Sequence, residues 1–165
     1  MIWETASHYV DIAQPKDMDA LAEVYNSHPA FLHSHLHRSA ITNNWLMNEI
    51  KAMSAGGFWS CTVKQKPAGR VVGLLDVNVD KETYLSLLMV HHQYAHQGMG
   101  QQIYEGLEAY ARDRECHTMW IDVVTEYDDR VMKFWTRNGF QRVNPITLEW
   151  DGVVLHAIRM AKTLS

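Results

Sequence analysis

The sequence predicts a mixed α/β fold with a mostly antiparallel central sheet and one parallel β-α-β crossover. Three strand-like segments, residues 58–64, 70–77 and 84–90, follow one another on short turns, which is typical of an antiparallel meander. Residues 99–114 then repeat apolar side chains at helical spacing, and a near-continuous apolar strand follows at 118–124. Such a strand is typical of the centre of a sheet covered on both faces. A strand, a helix and a strand in this order predict the crossover.

Further elements flank this unit on both sides. Those predicted before the meander are a strand at residues 8–12, a helix from Asp17 or Asp19 to Asn26, an aperiodic loop at 28–40 and a helix at 42–53. Those predicted after the crossover are a helix capped by Asp128 or Asp129 that ends at Asn138-Gly139, and strands at 141–148 and 153–160 joined by Asp151-Gly152. We find no linker or repeat, so we expect one domain over residues 1–165.

Composition limits the classes of partner. The 165 residues are 47% hydrophobic and 21% charged, with a formal net charge of −4 and no run of Lys or Arg. Nucleic-acid binding needs a clustered basic face, so we expect no nucleic-acid partner. The N-terminus lacks the pattern of a signal peptide, and no apolar run is long enough to span a membrane. The two cysteines, Cys61 and Cys116, match no metal or redox spacing. We expect a cytoplasmic protein without a membrane partner.

The join between strand 84–90 and the following helix contains two glycines, Gly98 and Gly100, and no Lys or Arg. The first N–H groups of a helix lack intrahelical partners and carry partial positive charge. Glycine lets such a backbone approach a ligand closely. A helix start of this kind can therefore bind a pyrophosphate through amides alone. A lone G-x-G is weak evidence, because it is more often a turn or packing feature.

Two motifs together are more specific, and with them the chain resembles the GNAT superfamily of N-acetyltransferases. The family's central motif, Val-x-x-x-x-[Gln/Arg]-x-x-Gly-x-[Gly/Ala], falls on Val90, Ala95, Gly98 and Gly100. A second family motif near the end of the next helix falls on Asp128, Val131, Trp135 and Gly139-Phe140. The element order agrees over essentially the whole chain, although residues 90–140 carry the motifs.

The resemblance implies an acyl-CoA N-acyltransferase fold and acetyl-CoA as the acetyl donor. It implies that the backbone of Leu88, Met89 and Val90 pairs with the pantetheine arm and polarises the thioester carbonyl. It further implies that strand 118–124 splays from strand 84–90 to open a slot. The pyrophosphate cradle is expected at Ala95, His96, Gln97, Gly98, Met99 and Gly100, and the second motif adds Asp128, Val131 and Trp135. Arg130, Lys133 or Arg137 could reach the adenosine phosphates, or could equally form a solvated helix face.

The departures from the family pattern concern proton transfer more than binding. Ala95 replaces the usual Gln or Arg, and His96 replaces a common Gly. Trp135 replaces a Tyr that in the family often protonates the leaving thiolate, which an indole cannot do. A thiol has a pKa of roughly 8.5 and leaves unaided, whereas an amine with a pKa of about 10.4 must lose a proton before it attacks.

The candidate catalytic residues are Glu82, which precedes the strand where the family often carries an acid, and Tyr127, beside the second motif. Each has a plainer interpretation, Glu82 as a turn residue and Tyr127 as packing with a bonded hydroxyl. Asp76 and Asp122 are further options that the sequence does not rank. We expect the acceptor to be an amine-bearing small molecule or peptide, and the resemblance is compatible with a homodimer.

A histidine-rich segment contains His28, His33, His35 and His37. A zinc site needs a third or fourth ligand and no cysteine lies close in sequence, so we expect no metal. The segment is expected to cover the acceptor pocket or to form an exposed loop.

Two other functions fit parts of the sequence. G-x-G followed by Asp122 imitates the fingerprint of a dinucleotide-binding oxidoreductase, but Ile103 occupies the place of the third glycine. A non-catalytic acyl-CoA-binding or regulatory module fits the missing Tyr at Trp135.

Overall fold

A computed structural model describes residues 1–164, which form one eight-stranded sheet and five helices. The strands are β1 (Trp3–Glu4), β2 (His8–Ile12), β3 (Trp59–Gln65), β4 (Arg70–Val79), β5 (Thr83–Val90), β6 (Thr118–Val124), β7 (Gln141–Trp150) and β8 (Val153–Thr163). The helices are α1 (Met18–Asn26), α2 (Pro29–Leu36), α3 (Asn43–Ala55), α4 (Met99–Asp113) and α5 (Asp129–Arg137). The strand order is β1-β2-β3-β4-β5-β6-β8-β7, and only the β5–β6 pair is parallel. The predicted fold class is confirmed.

Helices cover both faces of the sheet. On one face, α4 presents Ile103 and Leu107 to a core that includes Leu75 and Met119. On the other face, α1, α2 and α3 bury a second core, whose members include Leu21, Tyr25, Leu32, Leu46 and Leu74. The amphipathic helix α5 packs on the α4 side. Each helix contributes the apolar stripe that its helical spacing predicts.

Two elements were not predicted. The two-residue strand β1 is too short for a periodic signal. Helix α2 occupies the segment predicted as a loop, starting at Pro29 and ending where His37 adopts a left-handed conformation with φ 54°. Proline is well suited to the first helical position because it lacks the N–H that would have no partner there. Only Leu32, His35 and Leu36 of α2 are buried, which is too few inward positions to produce a visible period.

The parallel pair separates after three residues. Strand β6 pairs with β5 only from Thr83 to Leu85, whereas it pairs with β8 along its whole length. On the other side of β5, the register with β4 shifts between Asp76 and Val77, and Ser86 is the extra residue. A bulge of this kind bends and twists its strand. The predicted splay of the two strands is therefore present, beginning at Ser86.

Strand β6 differs from its prediction as a strand covered on both faces. Met119, Ile121 and Val123 are buried, but the alternate residues Trp120 and Asp122 are only half-buried. Trp120 lies beside Tyr84 in the stretch that is still paired, whereas Asp122 lies beyond that stretch and lines the cleft.

We predict that Gly73→Ala destabilises the protein by about 1–3 kcal/mol, because overpacking forces the backbone to move. A Cβ at residue 73 would lie 2.7 Å from the main-chain oxygen of Met89, inside the β4–β5 ladder. Gly56→Ala is the matched control, since its Cβ would approach no atom outside its own chain neighbours closer than 3.5 Å. Denaturant unfolding checks this expectation, and equal midpoints for the two variants would contradict it.

Candidate active site

The separated strands open a cleft of about 1150 Å³ that runs from the start of α4 to the face covered by α1, α2 and α3. Its walls include the open edge of β5, the loop before α4, strand β6 and the inner sides of α2 and α3. A volume of this size suits a ligand larger than a typical metabolite. The cleft connects the two ends that an acyl donor and an acceptor would have to occupy.

The open edge of β5 presents main-chain groups of Leu88 and Val90. The N–H of His91 donates to the Val72 oxygen of β4 at 2.8 Å, so the alternation of an antiparallel ladder turns Met89 toward β4 as well. Leu88 and Val90 then face the cleft, where β6 no longer pairs with β5. His28 Nε2 donates to the Val90 oxygen at 2.6 Å. The backbone of Leu88 therefore keeps both polar groups open toward the cleft, whereas Met89 does not.

The loop before α4 forms a turn of main-chain donors. After a short 3₁₀ turn at His92–Tyr94, His96 and Gly98 adopt left-handed conformations with φ 62° and φ 76°. The amides of residues 96–101 donate to no acceptor in the part of the chain that the structure describes. A Cβ on Gly98 or Gly100 would meet no atom within 4 Å. Clustered amides at a helix start with open space in front fit an anionic ligand such as a pyrophosphate.

The remaining residues of the predicted cradle have different surroundings. Ala95 is half-buried and lines the cleft, and Met99 is buried in the core beneath α4 while still reaching the cleft wall. The exposed Gln97 directs its side-chain amide back to the Gln93 oxygen at 3.5 Å. The site thus offers backbone groups here rather than long polar side chains.

The basic residues of α5 near this loop are either paired with an acidic residue or outside the cleft lining. Asp128 caps α5 by accepting from the Arg130 amide, and it also accepts from the Arg130 guanidinium at 2.7–3.1 Å. Those hydrogen bonds, and then the nearby His96, lower the pKa of Asp128. Arg130, Lys133 and Arg137 are exposed and do not line the cleft. Of the two interpretations given above for these three residues, the solvated helix face fits their positions better than contact with a phosphate.

Trp135 and Val131 form part of the cleft wall on α5. Trp135 is 8% exposed and packs edge-on against Tyr104 at 5.4 Å and Phe140 at 5.4 Å. Its role is to fill the space between α5, α4 and the sheet. A packed indole without an acidic proton cannot serve as a general acid.

The two predicted catalytic residues have different positions. Glu82 is exposed, accepts from Trp120 Nε1 at 2.9 Å and does not line the cleft, so the structure does not bring it to the site. Tyr127 lines the cleft and contacts the rings of Phe31 and His35 edge-on. Burial raises the pKa of Tyr127, followed by the charge of Asp128, so its hydroxyl keeps its proton near neutral pH.

A polar network lies on the floor of the cleft, on the side covered by α2 and α3. The Tyr84 hydroxyl donates to Asp122, and Arg159 donates to Asp122 at 3.1 Å and to the Tyr84 oxygen at 3.2 Å. Asp122 therefore has a guanidinium and a hydroxyl as partners. This pairing leaves it poorly suited to accept a proton from a ligand.

Asp76 and Glu49 were missed as a pair by sequence reasoning. Both line the cleft, Asp76 from β4 and Glu49 from α3. Burial raises the pKa of Asp76 to about 7, and the Glu49 charge acts in the same direction. The Ser60 hydroxyl opposes this shift, although it makes no hydrogen bond of normal geometry among residues 1–164. Burial also raises the pKa of Glu49, while a hydrogen bond of 3.0 Å from Trp150 Nε1 lowers it.

The histidine-rich segment forms helix α2 and its flanks. His35 is buried and stacks on Phe31 at 3.9 Å, and burial lowers its pKa. His33 and His37 are exposed. Within residues 1–164, no three His, Cys, Asp or Glu side chains are grouped as a metal ion would require. The predicted cover over the pocket corresponds to Phe31 and His35, which both line the cleft.

The sequence matches the model of the acetyltransferase (GNAT) family over residues 18–140. This match covers well over half of the chain, so the protein belongs to that family. The resemblance drawn from the two motifs is confirmed, and the dinucleotide-binding alternative has no support. A search of curated protein sequences found no match to the chain. No helix formed by the described residues is long and apolar enough to cross a membrane.

Several solved structures share the fold. An acetyltransferase from Thermus thermophilus aligns with a TM-score of 0.73 at 17% identity, over 96% of this chain and 97% of its own. The ribosomal-protein-S18-alanine N-acetyltransferase from Escherichia coli aligns with a TM-score of 0.66 at 16% identity, over 96% and 94%. A PaiA N-acetyltransferase from Thermoplasma acidophilum, in complex with coenzyme A, aligns with a TM-score of 0.64 at 15% identity, over 96% and 99%. At these identities the likeness shows the fold alone.

We predict that Asp76 makes the protein less stable as the pH rises from about 4 to about 7. The folded-state pKa of Asp76 lies above its ordinary value of 3.8, so the native state binds more protons than the unfolded state in this window. Stability should fall by up to about 1.4 kcal/mol per pH unit from this group. Asp76→Asn removes the titrating group. The free energy of unfolding of this variant, relative to that of wild type, should therefore increase by up to about 4 kcal/mol as the pH rises from about 4 to about 8.

Denaturant unfolding of wild type, Asp76→Asn and the control Asp113→Asn at both pH values measures this difference. Asp113 is exposed near the end of α4, so its variant should follow the wild type. A constant offset between Asp76→Asn and wild type at all pH values would contradict the account.

Proposed function

We propose that the protein is an N-acetyltransferase that takes an acetyl group from acetyl-CoA and transfers it by direct attack to a primary amine of a small molecule or peptide. The observation that carries the proposal is the turn at residues 96–101, whose amides have no acceptor within residues 1–164 and which lines the cleft at His96, Met99 and Gly100. Family membership and the coenzyme A complex of the PaiA N-acetyltransferase support the choice of donor.

The residues present fit acetyl-CoA. The amides of residues 96–101 would hold its pyrophosphate, the edge of β5 at Leu88 and Val90 would pair with its pantetheine arm, and Val131 and Trp135 would line the opposite wall. When bound, acetyl-CoA supplies an acetyl group activated as a thioester. Our proposal gives no catalytic role to Glu82. Met89 contributes its side chain to the cleft wall rather than main-chain groups.

The Leu88 N–H is the donor best placed to stabilise charge that develops on a carbonyl oxygen in the cleft. It belongs to a strand fixed on its other side by β4, so it needs no rearrangement during the reaction. Preorganised donors of this kind commonly contribute about 2.7–4 kcal/mol to transition-state stability. Of the two main candidates, Glu82 and Tyr127, Tyr127 alone lies at the cleft, and its protonated hydroxyl could relay a proton to the leaving thiolate.

A non-catalytic acyl-CoA-binding module is the second candidate, and the packing of Trp135 is the observation that favours it. An indole takes the position where the family often carries a Tyr acid. The thiolate, with a pKa of roughly 8.5, is a tolerable leaving group without an acid. We therefore favour the enzyme. That the protein is cytoplasmic and that it forms a homodimer are predictions from the sequence.

We predict that Gly100→Glu weakens coenzyme A binding at least about tenfold, which corresponds to about 1.4 kcal/mol. The backbone of Gly100 does not require a positive φ and a Cβ would meet only open space, so the added carboxylate should point among the amides without straining the fold. Gly98 is unsuited to this test because its φ of 76° would strain any side chain.

Gln102→Glu is the matched control, with the same charge change in the same helical turn. Its side-chain oxygen already accepts from Ser7 on another surface at 3.3 Å, and a carboxylate can do the same. Titration calorimetry with coenzyme A measures both variants, and release of thiol from acetyl-CoA across a panel of amines measures turnover. Unchanged binding in Gly100→Glu would refute the assigned loop, and binding by wild type without any turnover would favour the module.

A further inference from the structure

Two carboxylates at the acceptor end of the cleft, one buried and one half-buried, have no cationic partner among residues 1–164. Asp76 is 6% exposed, Glu49 is half-buried, and neither takes part in an ion pair. Other acidic residues at or near the cleft each have an arginine: Asp122–Arg159, Asp128–Arg130 and Asp151–Arg38. Glu149 also lines the cleft, but it is exposed to solvent. The uncompensated negative charge is therefore concentrated at Asp76 and Glu49.

This arrangement is costly for the protein alone. Burying a charge without a partner is strongly unfavourable, and two neighbouring carboxylates also repel one another. A cation placed between them would remove both penalties. The pair is thus a site that lacks one positive charge.

The walls next to this pair are aromatic. Trp150 donates to one oxygen of Glu49 at 3.0 Å, and it lies against Phe31 at 5.9 Å and His35 at 6.3 Å between ring centroids. Tyr127 extends the same wall. Aromatic faces attract cations and also cover apolar bodies. The other oxygen of Glu49 has no hydrogen-bond partner among the described residues.

Asp76 also lies close to the strand edge that would hold the reacting carbonyl. It is directly opposite Leu87 in the β4–β5 ladder, one residue from the open N–H of Leu88. Opposed residues of neighbouring strands point to the same face of a sheet, and here that face is the one covered by α1, α2 and α3. Asp76 therefore stands on the side from which an acceptor would reach the edge of β5.

We propose, resting on the acetyltransferase function proposed above, that the acceptor is a cationic primary amine on an apolar or aromatic body without a neighbouring carboxylate, which Glu49 binds and Asp76 deprotonates.

The proton and electron balance is complete with these partners. The ammonium group gives one proton to the Asp76 carboxylate, and the freed nitrogen lone pair forms a bond to the thioester carbonyl carbon. The carbon–sulfur bond then breaks, and its electron pair leaves on sulfur. A second proton of the nitrogen goes to that sulfur, which gives an amide and a free thiol. Asp76 returns its proton to solvent, so one proton is released in each turnover.

Few charges around Asp76 can disturb this proton transfer. Ser60 faces it from β3, Tyr25 faces it from α1, and Glu49 faces it from α3. Burial raises the pKa of Tyr25 and of Cys61, so both stay neutral at the pH values of interest. Glu49 is then the one titrating neighbour within residues 1–164.

A carboxylate on the acceptor is disfavoured by the same arrangement. The cation on the floor of the cleft, Arg159, already donates to Asp122 and to Tyr84 and lies over the Tyr84 ring at 5.8 Å. An acceptor carboxylate would face Asp76 and Glu49 without a free cation to bind it. Amino acids should therefore be poorer acceptors than the corresponding amines.

The first test compares amines without a carboxylate with an amino acid, and phenethylamine and phenylalanine differ by the carboxylate alone. Phenethylamine, hexylamine and 4-phenylbutylamine are assayed with acetyl-CoA against phenylalanine, by release of thiol and by mass spectrometry of the product. We expect at least one of the three amines to have a kcat/KM more than about tenfold above that of phenylalanine. Equal or better use of phenylalanine, or no acetylation of any of the three amines, would overturn the inference.

The second test separates the roles of the two acids. Asp76→Asn should lower kcat for the best amine by about 100-fold or more, and it should remove the limb of the pH profile on which kcat/KM rises toward neutral pH. Glu49→Gln keeps an oxygen for Trp150 but loses its charge, so it should mainly raise KM and move that limb to lower pH. Glu23→Gln, on the exposed face of α1, is the control and should change neither.

Coenzyme A binding by the same variants distinguishes a failure of the proposed roles of Asp76 and Glu49 from a failure of the proposed acetyltransferase function. Unchanged binding in Asp76→Asn with lost turnover supports the inference. Unchanged turnover in Asp76→Asn, or a pH limb that persists, overturns the inference and leaves the proposed acetyl transfer standing. Failure of the wild type to bind coenzyme A would instead refute the proposed function.

Discussion

The separation of β5 from β6 after Leu85 is the constraint on which the rest of the site depends. Ser86, the extra residue in the β4–β5 register, bends β5 while β6 stays paired with β8 along its length. The main-chain groups of Leu88 and the N–H of Val90 therefore have no strand partner on this side and face the cleft, while the Val90 oxygen accepts from His28. Unpaired backbone groups are costly when they are buried, so a ligand or water must complete them. The extra residue Ser86 thus accompanies both the opening of the cleft and the exposure of main-chain N–H groups on β5.

In our proposal, binding at the other end of this cleft also uses the backbone. The amides of the turn at residues 96–101 have no acceptor within residues 1–164, and Arg130 on α5 pairs with Asp128. An anion held by main-chain groups does not need the Gln or Arg that Ala95 replaces. Side-chain charge is instead concentrated at the acceptor end, in Asp76 and Glu49. In our proposal, the amides bind the acetyl donor and the carboxylates bind the acceptor.

Most of the fold was predictable from the sequence, because hydrophobic spacing alone distinguishes the meander, the crossover helix α4 and the amphipathic helix α5. Helix α2 was missed because only three of its residues are buried. The turn proposed as the cradle was indicated by Gly98 and Gly100, because a glycine at a helix start is visible in the sequence itself. Asp76 and Glu49 could not be paired, since they lie on different elements and meet only when α3 packs on the sheet. Glu82 was chosen because the family often carries an acid at the strand that it precedes, but the Glu82 carboxylate accepts from Trp120 outside the cleft.

Amide hydrogen exchange with and without coenzyme A reports on the individual backbone N–H groups that we propose to bind the donor. We predict that the ligand slows exchange at residues 96–101 and at Leu88 and Val90, while the amides of α1 keep their rates. Slower exchange elsewhere, with residues 96–101 unaffected, would contradict this prediction.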